Sequence, residues 1–268
     1  MKKNIFAAIL LVSLNAWTQN NAPCKTESEL KIYPVLWQQR AAEYRALCYQ
    51  AFNIATLRLN AAVKNKGANK KTALITDLDE TILDNSYQQA ELIKNDREFT
   101  NQSWKDWVSK GVATAVPGAV AFLQLAKQKG VSIFYISNRD TSEVRITMMN
   151  LKSLGLPDVD TGHMLFLSNT SSKETRRQIV MKKYNVVMLL GDNLNDFMQV
   201  FEKKDIAERF TETDKVKNEW GKKFIVLPNS TYGEWENAVY DYKNLSDLTP
   251  EQKEAMRREK LEGYSIFR

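Results

Sequence analysis

The chain carries two acidic clusters, each at the end of a short apolar run. The first is Ala73-Leu74-Ile75-Thr76-Asp77-Leu78-Asp79-Glu80-Thr81, and the second is Val186-Val187-Met188-Leu189-Leu190-Gly191-Asp192-Asn193-Leu194-Asn195-Asp196-Phe197. Apolar, β-branched runs that stop at carboxylates read as buried parallel strands delivering charge to one edge of a sheet. Carboxylates gathered there repel one another until a cation neutralises them, and a hard ion of magnesium's size suits such oxygen donors. Asp77 and Asp79 are two apart, so along extended chain both side chains project from one face. One can stay ionised as a nucleophile while its like-charged neighbour is held protonated as an acid. Asp192 and Asp196 lie four apart after Gly191, which lets the backbone turn tightly. A helix starting there would place both on one face. Acidic residues are also favoured at helix starts for the dipole alone, which explains Asp192 better than Asp196.

Two more positions fit the same chemistry. Ser137-Asn138-Arg139 follows the apolar run Ser132–Ile136, and a hydroxyl at a strand end either donates to a phosphoryl oxygen or caps the next helix. Lys173 opens the basic stretch Lys173-Glu174-Thr175-Arg176-Arg177, where an ammonium group could neutralise phosphate and screen the aspartates. The chain has one histidine, His163. That count removes phosphohistidine enzymes, His-rich zinc hydrolases and triads needing a second histidine. His163 itself sits in the loop sequence Asp160-Thr161-Gly162-His163 and reads as a hydrogen-bonded loop residue.

Positioning these groups requires strands that alternate with helices. A helical pattern runs from about Leu30 to Lys64, and Gly67 reads as a helix stop. Strands are expected at Thr72–Asp77, Ser132–Ile136, Met164–Leu167, Val186–Leu190 and Phe224–Leu227. Between them fall short helices over 86–110 and helices at Gly118–Lys129, Ser142–Leu154 and Lys173–Tyr184. The segment 233–262 is helical and charged. This order predicts an α/β fold, an open parallel sheet with right-handed crossovers. Ligands bind such sheets beyond the carboxyl ends of the strands, where both acidic clusters lie.

The 268 residues, 43% hydrophobic and 26% charged, suit one large domain with a sizeable core. Met1–Asn4 is basic, Ile5–Leu14 is apolar but too short to span a bilayer, and small polar residues follow. Residues 1–18 therefore read as a signal peptide and 19–268 as the mature domain, secreted or periplasmic. No later run is long enough for a transmembrane segment. Cys24 lacks the preceding apolar and small residues of a lipid-attachment site, which disfavours an outer-membrane anchor. Cys24 and Cys48 could pair in an oxidising compartment, and a free, buried Cys48 fits equally well. The net charge of +6 is scattered and falls to +4 without Lys2 and Lys3. Without a basic run interleaved with aromatics, a nucleic-acid polymer is not an expected partner. Small anionic substrates are, and a homo-oligomer stays open.

Taken in order, Asp77-Leu78-Asp79-Glu80-Thr81, Ser137, Lys173 and Asp192/Asp196 resemble the haloacid dehalogenase superfamily of phosphohydrolases. The two longer stretches, Ile75–Asn85 and Val187–Phe197, look like the bipartite four-aspartate signature of class C bacterial acid phosphatases, the group of the lipoprotein e(P4) nucleotidases. The resemblance spans roughly residues 30–245. It implies a haloacid-dehalogenase-like core over about 70–230, with a small helical cap from additions at about 27–66, 86–110 and 233–262. It implies Asp77 as nucleophile forming an aspartyl-phosphate, and Asp79 as acid and then base. Mg2+ would be held by the Asp77 carboxylate, the Asp79 carbonyl and Asp192, with Asp196 as ligand or neighbour. Ser137, Asn138 and Lys173 would hold the phosphoryl group. Tyr232, Phe99 and Trp104 are the candidates for stacking a base, although such aromatics also pack helices on sheets. Asn85-Ser86-Tyr87 is one residue shorter than the family's spacing, so Tyr87 is not equated with its tyrosine.

The function implied is a magnesium-dependent acid phosphatase acting on phosphomonoesters, nucleoside 5′-monophosphates among them. A broad scavenging phosphatase without nucleoside preference is the alternative, and a non-catalytic binding module is the alternative from another class.

Overall fold

The computed structural model describes residues 27–64, 71–167 and 169–264. The expected signal peptide, Cys24 and Gly67 lie outside the described residues. Seven strands are found among them, β1 (Thr72–Thr76), β2 (Leu83–Asp84), β3 (Thr114–Ala115), β4 (Ser132–Asp140), β5 (Met164–Leu167), β6 (Asn185–Gly191) and β7 (Phe224–Val226). Five of them form one parallel sheet in the order β5-β4-β1-β6-β7. The chain starts at the centre with β1, moves out through β4 and β5, then returns to β6 on the other side. That reversal opens the crevice in which an open α/β sheet holds its ligand.

The composition of β1 explains its place. All five of its residues are buried, and its apolar side chains feed both faces of the sheet. Leu74 packs on one side with Cys48, Phe52, Leu59, Phe122, Leu123 and Leu151. Ala73 and Ile75 pack on the other with Phe134, Val180, Leu189, Phe197 and Phe224. A parallel strand covered on both faces is expected to be continuously apolar.

Helices α1 (Glu27–Leu30), α2 (Ile32–Arg40) and α3 (Ala42–Lys64) precede the sheet. The expected single helical stretch is broken at Ala41, whose extended backbone turns the chain. In α3 the buried residues Tyr44, Cys48, Ala51, Phe52, Ala55 and Leu59 recur at three and four, the stripe of a helix laid on a core. Among the described residues Cys48 has no disulfide partner, and burial pushes its thiol up to about 11.

The first crossover holds α4 (Ser86–Lys94), α5 (Asn101–Lys110) and α6 (Ala119–Gln128). It also contains an antiparallel pairing of β2 with β3 that the sequence pattern does not reveal. Then come α7 (Val144–Ser153), α8 (Glu174–Lys183), α9 (Ile206–Lys215), α10 (Glu234–Val239) and α11 (Pro250–Glu259). Helix α9 was not expected, because its apolar positions are sparse among charges. β4 outruns its expected end at Ile136 and carries Ser137, Asn138 and Arg139 within the strand. The N-terminal helices meet the later additions directly. Gln38 Nε2 donates to Asp84 Oδ1 at 2.9 Å, and Lys31 pairs with Glu236 at 3.4 Å. No helix among the described residues is long and apolar enough to cross a membrane.

Leu59 is fully buried where α3 meets the sheet. Leu59→Ala is expected to cost about 2–5 kcal/mol through lost transfer energy and a residual cavity. Urea denaturation checks this, and a loss below about 1 kcal/mol would contradict the packing described.

Candidate active site

The strand ends converge as the sheet order requires. Asp77 remains in the ladder, its N–H donating to the Leu190 carbonyl at 3.0 Å, which fixes its carboxylate beside the end of β6. The chain then coils tightly, with the Leu78 carbonyl accepting from the amides of Thr81, Ile82 and Leu83. Glu80 occupies the left-handed region within this coil at φ 58°, a conformation costing a non-glycine residue roughly 1–2 kcal/mol. The coil sends Asp77 and Asp79 different ways, so their expected shared orientation does not persist past the strand.

Asp77 faces the second cluster. Carboxylate oxygens of Asp77, Asp192 and Asp196 lie within 4.8 Å of one another. Lys173, at the start of α8, reaches between them. Its Nζ lies 2.5 Å from Asp77 Oδ1 and 2.6 Å from Asp196 Oδ1, and all three residues are buried. Burial alone would lower the ammonium pKa, but Asp196 and Asp77 outweigh it and hold Lys173 charged.

The Asp192–Asp196 spacing works through a 3₁₀ turn, Leu194–Asp196, instead of an α-helix. Asn193 caps this turn, so neither aspartate is spent as its N-cap. Asp192 accepts hydrogen bonds from Thr81 Oγ1 at 3.2 Å and Asn229 Nδ2 at 2.8 Å. Gly191 is demanded by contact. A Cβ there would lie 2.4 Å from Asp196 Oδ2 and 2.5 Å from Asp196 Cβ, far inside van der Waals distance.

Asp79 points to the other wall. Arg139 grips its carboxylate, with Nη2 at 2.7 Å from Oδ1 and Nε at 3.1 Å from both oxygens. Arg139 is itself buried, bonded to Thr147 Oγ1 at 3.0 Å and stacked over the Trp104 ring at 5.5 Å. Ser137 is fully buried and accepts from the Arg139 amide at 3.0 Å. It caps no helix, since Asp140 caps the turn that follows. Asn138 lines the cleft above these groups, with its side-chain amide already held by neighbours. That amide donates to the Ser171 carbonyl at 2.9 Å and accepts from Arg176 Nη2 at 2.6 Å. Arg176 also reaches the carbonyls of Ser137, Ser171 and Ser172, tying the end of β4 to the loop before Lys173.

A cleft of about 1050 Å³ opens above these groups. Lys31, Phe99, Trp104 and Lys253 come from the three helical additions and, with Tyr232, Asp77, Asp79 and Lys173, are among the residues lining it. Phe99 and Trp104 are neighbours, their ring centroids 6.4 Å apart. Tyr232 anchors its hydroxyl on the carboxylate of Glu80. Tyr87 is exposed on the surface, consistent with its shifted spacing. His163 bonds Asp160 at 2.9 Å, as a loop residue should.

Residues missed at the sequence level are mainly those that hold the others. Glu80, Asn85 and Arg139 lie inside or beside the motifs, yet local sequence does not say where their side chains point. Arg176 is hidden among ordinary basic residues of α8.

The electrostatic balance is lopsided. Burial, then neighbouring carboxylates, raise Asp77 well above the usual carboxylate range. Burial and then Asp196 raise Asp192 to about 8, and burial and then Asp79 raise Glu80 to about 8. Crowded, buried oxygen donors with raised pKa values fit a hard divalent cation, which would supply the missing positive charge.

An open parallel sheet that brings an Asp-x-Asp strand end, a buried serine, a lysine and an acidic pair to one edge defines a haloacid-dehalogenase-type phosphatase site. Residues 4–235 match the family model for the acid phosphatases of that superfamily's subfamily IIIB, and the chain belongs to this family. The class C acid phosphatase of Bacillus anthracis has a similar structure, 38% identical, with a TM-score of 0.84 over 89% of this chain and 99% of that one. A second structure of that enzyme, with tungstate bound, matches equally at 38% identity and TM-score 0.84, over 89% of this chain and all of that one. Among curated proteins, a stem 28 kDa glycoprotein of Glycine max is 24% identical over 138 residues, 48% of this chain and 53% of its own. Acid phosphatase 1 of Solanum lycopersicum is 24% identical over 141 residues, 49% of this chain and 54% of its own. The chain spans about half the length of these curated relatives.

The raised carboxyls have a consequence for stability. A carboxyl with a higher pKa folded than unfolded binds its proton more tightly in the native state, so stability falls as pH climbs from the unfolded value near 4 to the folded value. For Asp192 and Glu80 that upper value is about 8. In EDTA the melting temperature should therefore drop between about pH 5 and about pH 8, and magnesium should raise it more at the higher pH. Calorimetry at both pH values checks this, and an equal gain at each would contradict it.

Proposed function

We propose that the protein is a magnesium-dependent acid phosphatase that hydrolyses phosphomonoesters, nucleoside 5′-monophosphates among them, outside the cytoplasm. The observation that carries this is Asp77, held in the ladder at the floor of the cleft and touching Lys173, with Asp192 and Asp196 beside it. A nucleophilic carboxylate needs a fixed position and a positive neighbour for the incoming phosphoryl oxygens. Lys173 supplies the charge, and Ser137 offers a buried hydroxyl near Asp79, 3.5 Å from its Oδ2.

In this reading Asp77 Oδ attacks phosphorus, the bond to the leaving oxygen breaks, and an aspartyl-phosphate forms. Asp79 gives its proton to the departing alkoxide, then takes one from the water that releases phosphate. Magnesium, held by Asp77, Asp192 and the neighbouring Asp196, would offset charge on the phosphoryl oxygens. The tungstate bound to the Bacillus anthracis relative supports an oxyanion site in the family, because tungstate is tetrahedral like phosphate. Phe99, Trp104 and Tyr232 around the cleft support recognition of a flat base by stacking.

Asp77→Asn should abolish release of phosphate from a chromogenic monoester while leaving the melting temperature within a few degrees. Turnover persisting in that variant would remove the mechanism. Tyr232→Ala should raise KM for AMP roughly tenfold and change KM for glycerol phosphate little, a loss of one stacked base worth about 1–3 kcal/mol. Equal changes for both substrates favour the broad scavenging phosphatase.

A further inference from the structure

Asn85 is fully buried and meets two residues of the catalytic motif, together with Trp107. Its Nδ2 donates to Asp79 Oδ1 at 2.9 Å and to Glu80 Oε2 at 3.3 Å, and its backbone N–H donates to Glu80 Oε1 at 3.0 Å. Its Oδ1 accepts from the indole of Trp107 at 2.8 Å. An indole nitrogen can only donate. The Trp107 contact therefore fixes the orientation of the Asn85 amide, because a flipped amide would set N–H against N–H on one side and oxygen against two carboxylates on the other. Trp107 thus does chemistry that an aromatic packing residue would not.

The arrangement treats the two oxygens of Asp79 unequally. Oδ1 accepts from Arg139 Nη2, Arg139 Nε and Asn85 Nδ2. Oδ2 has Arg139 Nε at 3.1 Å and only the long contact to Ser137 at 3.5 Å. Arg139 and Asn85 together hold Oδ1 from two sides, which fixes the plane of the carboxylate.

We propose that Asn85, with its amide oriented by Trp107, is a positioning residue that holds Asp79 Oδ1 and so fixes how the Asp79 carboxylate sits at the cleft. The inference rests on the reading of Asp79 as the acid. Without the indole donor, Asn85 Oδ1 loses its partner and the amide is held from the carboxylate side alone, which loosens its grip on Asp79.

Trp107→Phe, which keeps the ring and removes the donor, tests this by leaving-group dependence. An alkoxide leaving group needs protonation, whereas p-nitrophenolate leaves without much help. In the full-length enzyme with magnesium, kcat/KM for glycerol phosphate should fall roughly tenfold and that for p-nitrophenyl phosphate less than about threefold. Asn85→Ala should show the same split, and adding Trp107→Phe to it should cause no further loss, because both act through one contact. Equal losses on the two substrates, or additive losses in the double variant, would overturn the proposal. Asp79→Asn separates the two readings. If it too shows no split, the acid role fails and the proposal with it. If it shows the split and Trp107→Phe does not, the positioning role alone is wrong.

Discussion

A buried ammonium between two buried carboxylates is the interaction on which the site depends. Lys173 meets Asp77 and Asp196 at hydrogen-bond distance with little water to screen any of the charges. Separating such a group from its partners would leave an uncompensated charge in the interior, an outcome proteins tolerate poorly. The contact binds three distant parts of the chain, namely the end of β1, the loop after β6 and the start of α8. Each must arrive with its backbone already placed, which is the service the parallel sheet performs. The triad is also incomplete as electrostatics. One lysine faces Asp77, Asp192 and Asp196; burial, and then the crowding of carboxylates, raises the Asp77 and Asp192 pKa values, and a divalent cation would add the positive charge this group lacks.

Around this centre the fixing contacts are mostly neutral. Thr81 and Asn229 orient Asp192, Asn85 orients Asp79 and Glu80, and Asn193 with the Asp196 carboxylate closes the turn after β6. Neutral donors satisfy carboxylate lone pairs without cancelling the charge that metal and phosphate chemistry uses. Arg176 works similarly from the opposite side. Its four contacts go to carbonyl or amide oxygens, so it joins the Ser137 and Lys173 loops into one unit while its own charge stays unspent.

The parts legible in the sequence are those encoded by local pattern. Short apolar runs ending in acids located β1 and β6 to within a residue or two, and the order of motifs pointed to Ser137 and Lys173, which lie beside Asp79 and Asp77. Asp77, Asp192 and Asp196 came together as their placement at strand ends implied. What was not legible depends on side-chain direction after the strand ends. The coil through Glu80 turns Asp79 away from Asp77 and toward Arg139, and the pattern Asp-Leu-Asp contains no sign of that turn. The contacts of the Asn138 amide with Ser171 and Arg176 have no local signature either. The β2–β3 pairing is two residues long, too short for any periodicity to show.

Gly191 shows how little room the arrangement leaves. The volume that even a methyl group would need at this position is already filled by the carboxyl arm of Asp196. Residue 191 and the path of the following loop are therefore a single geometric decision: a larger residue could enter only if the loop were rerouted, and a rerouted loop would withdraw the acid that Lys173 holds. Substitutions here cannot be graded by size or polarity, since the smallest step already collides.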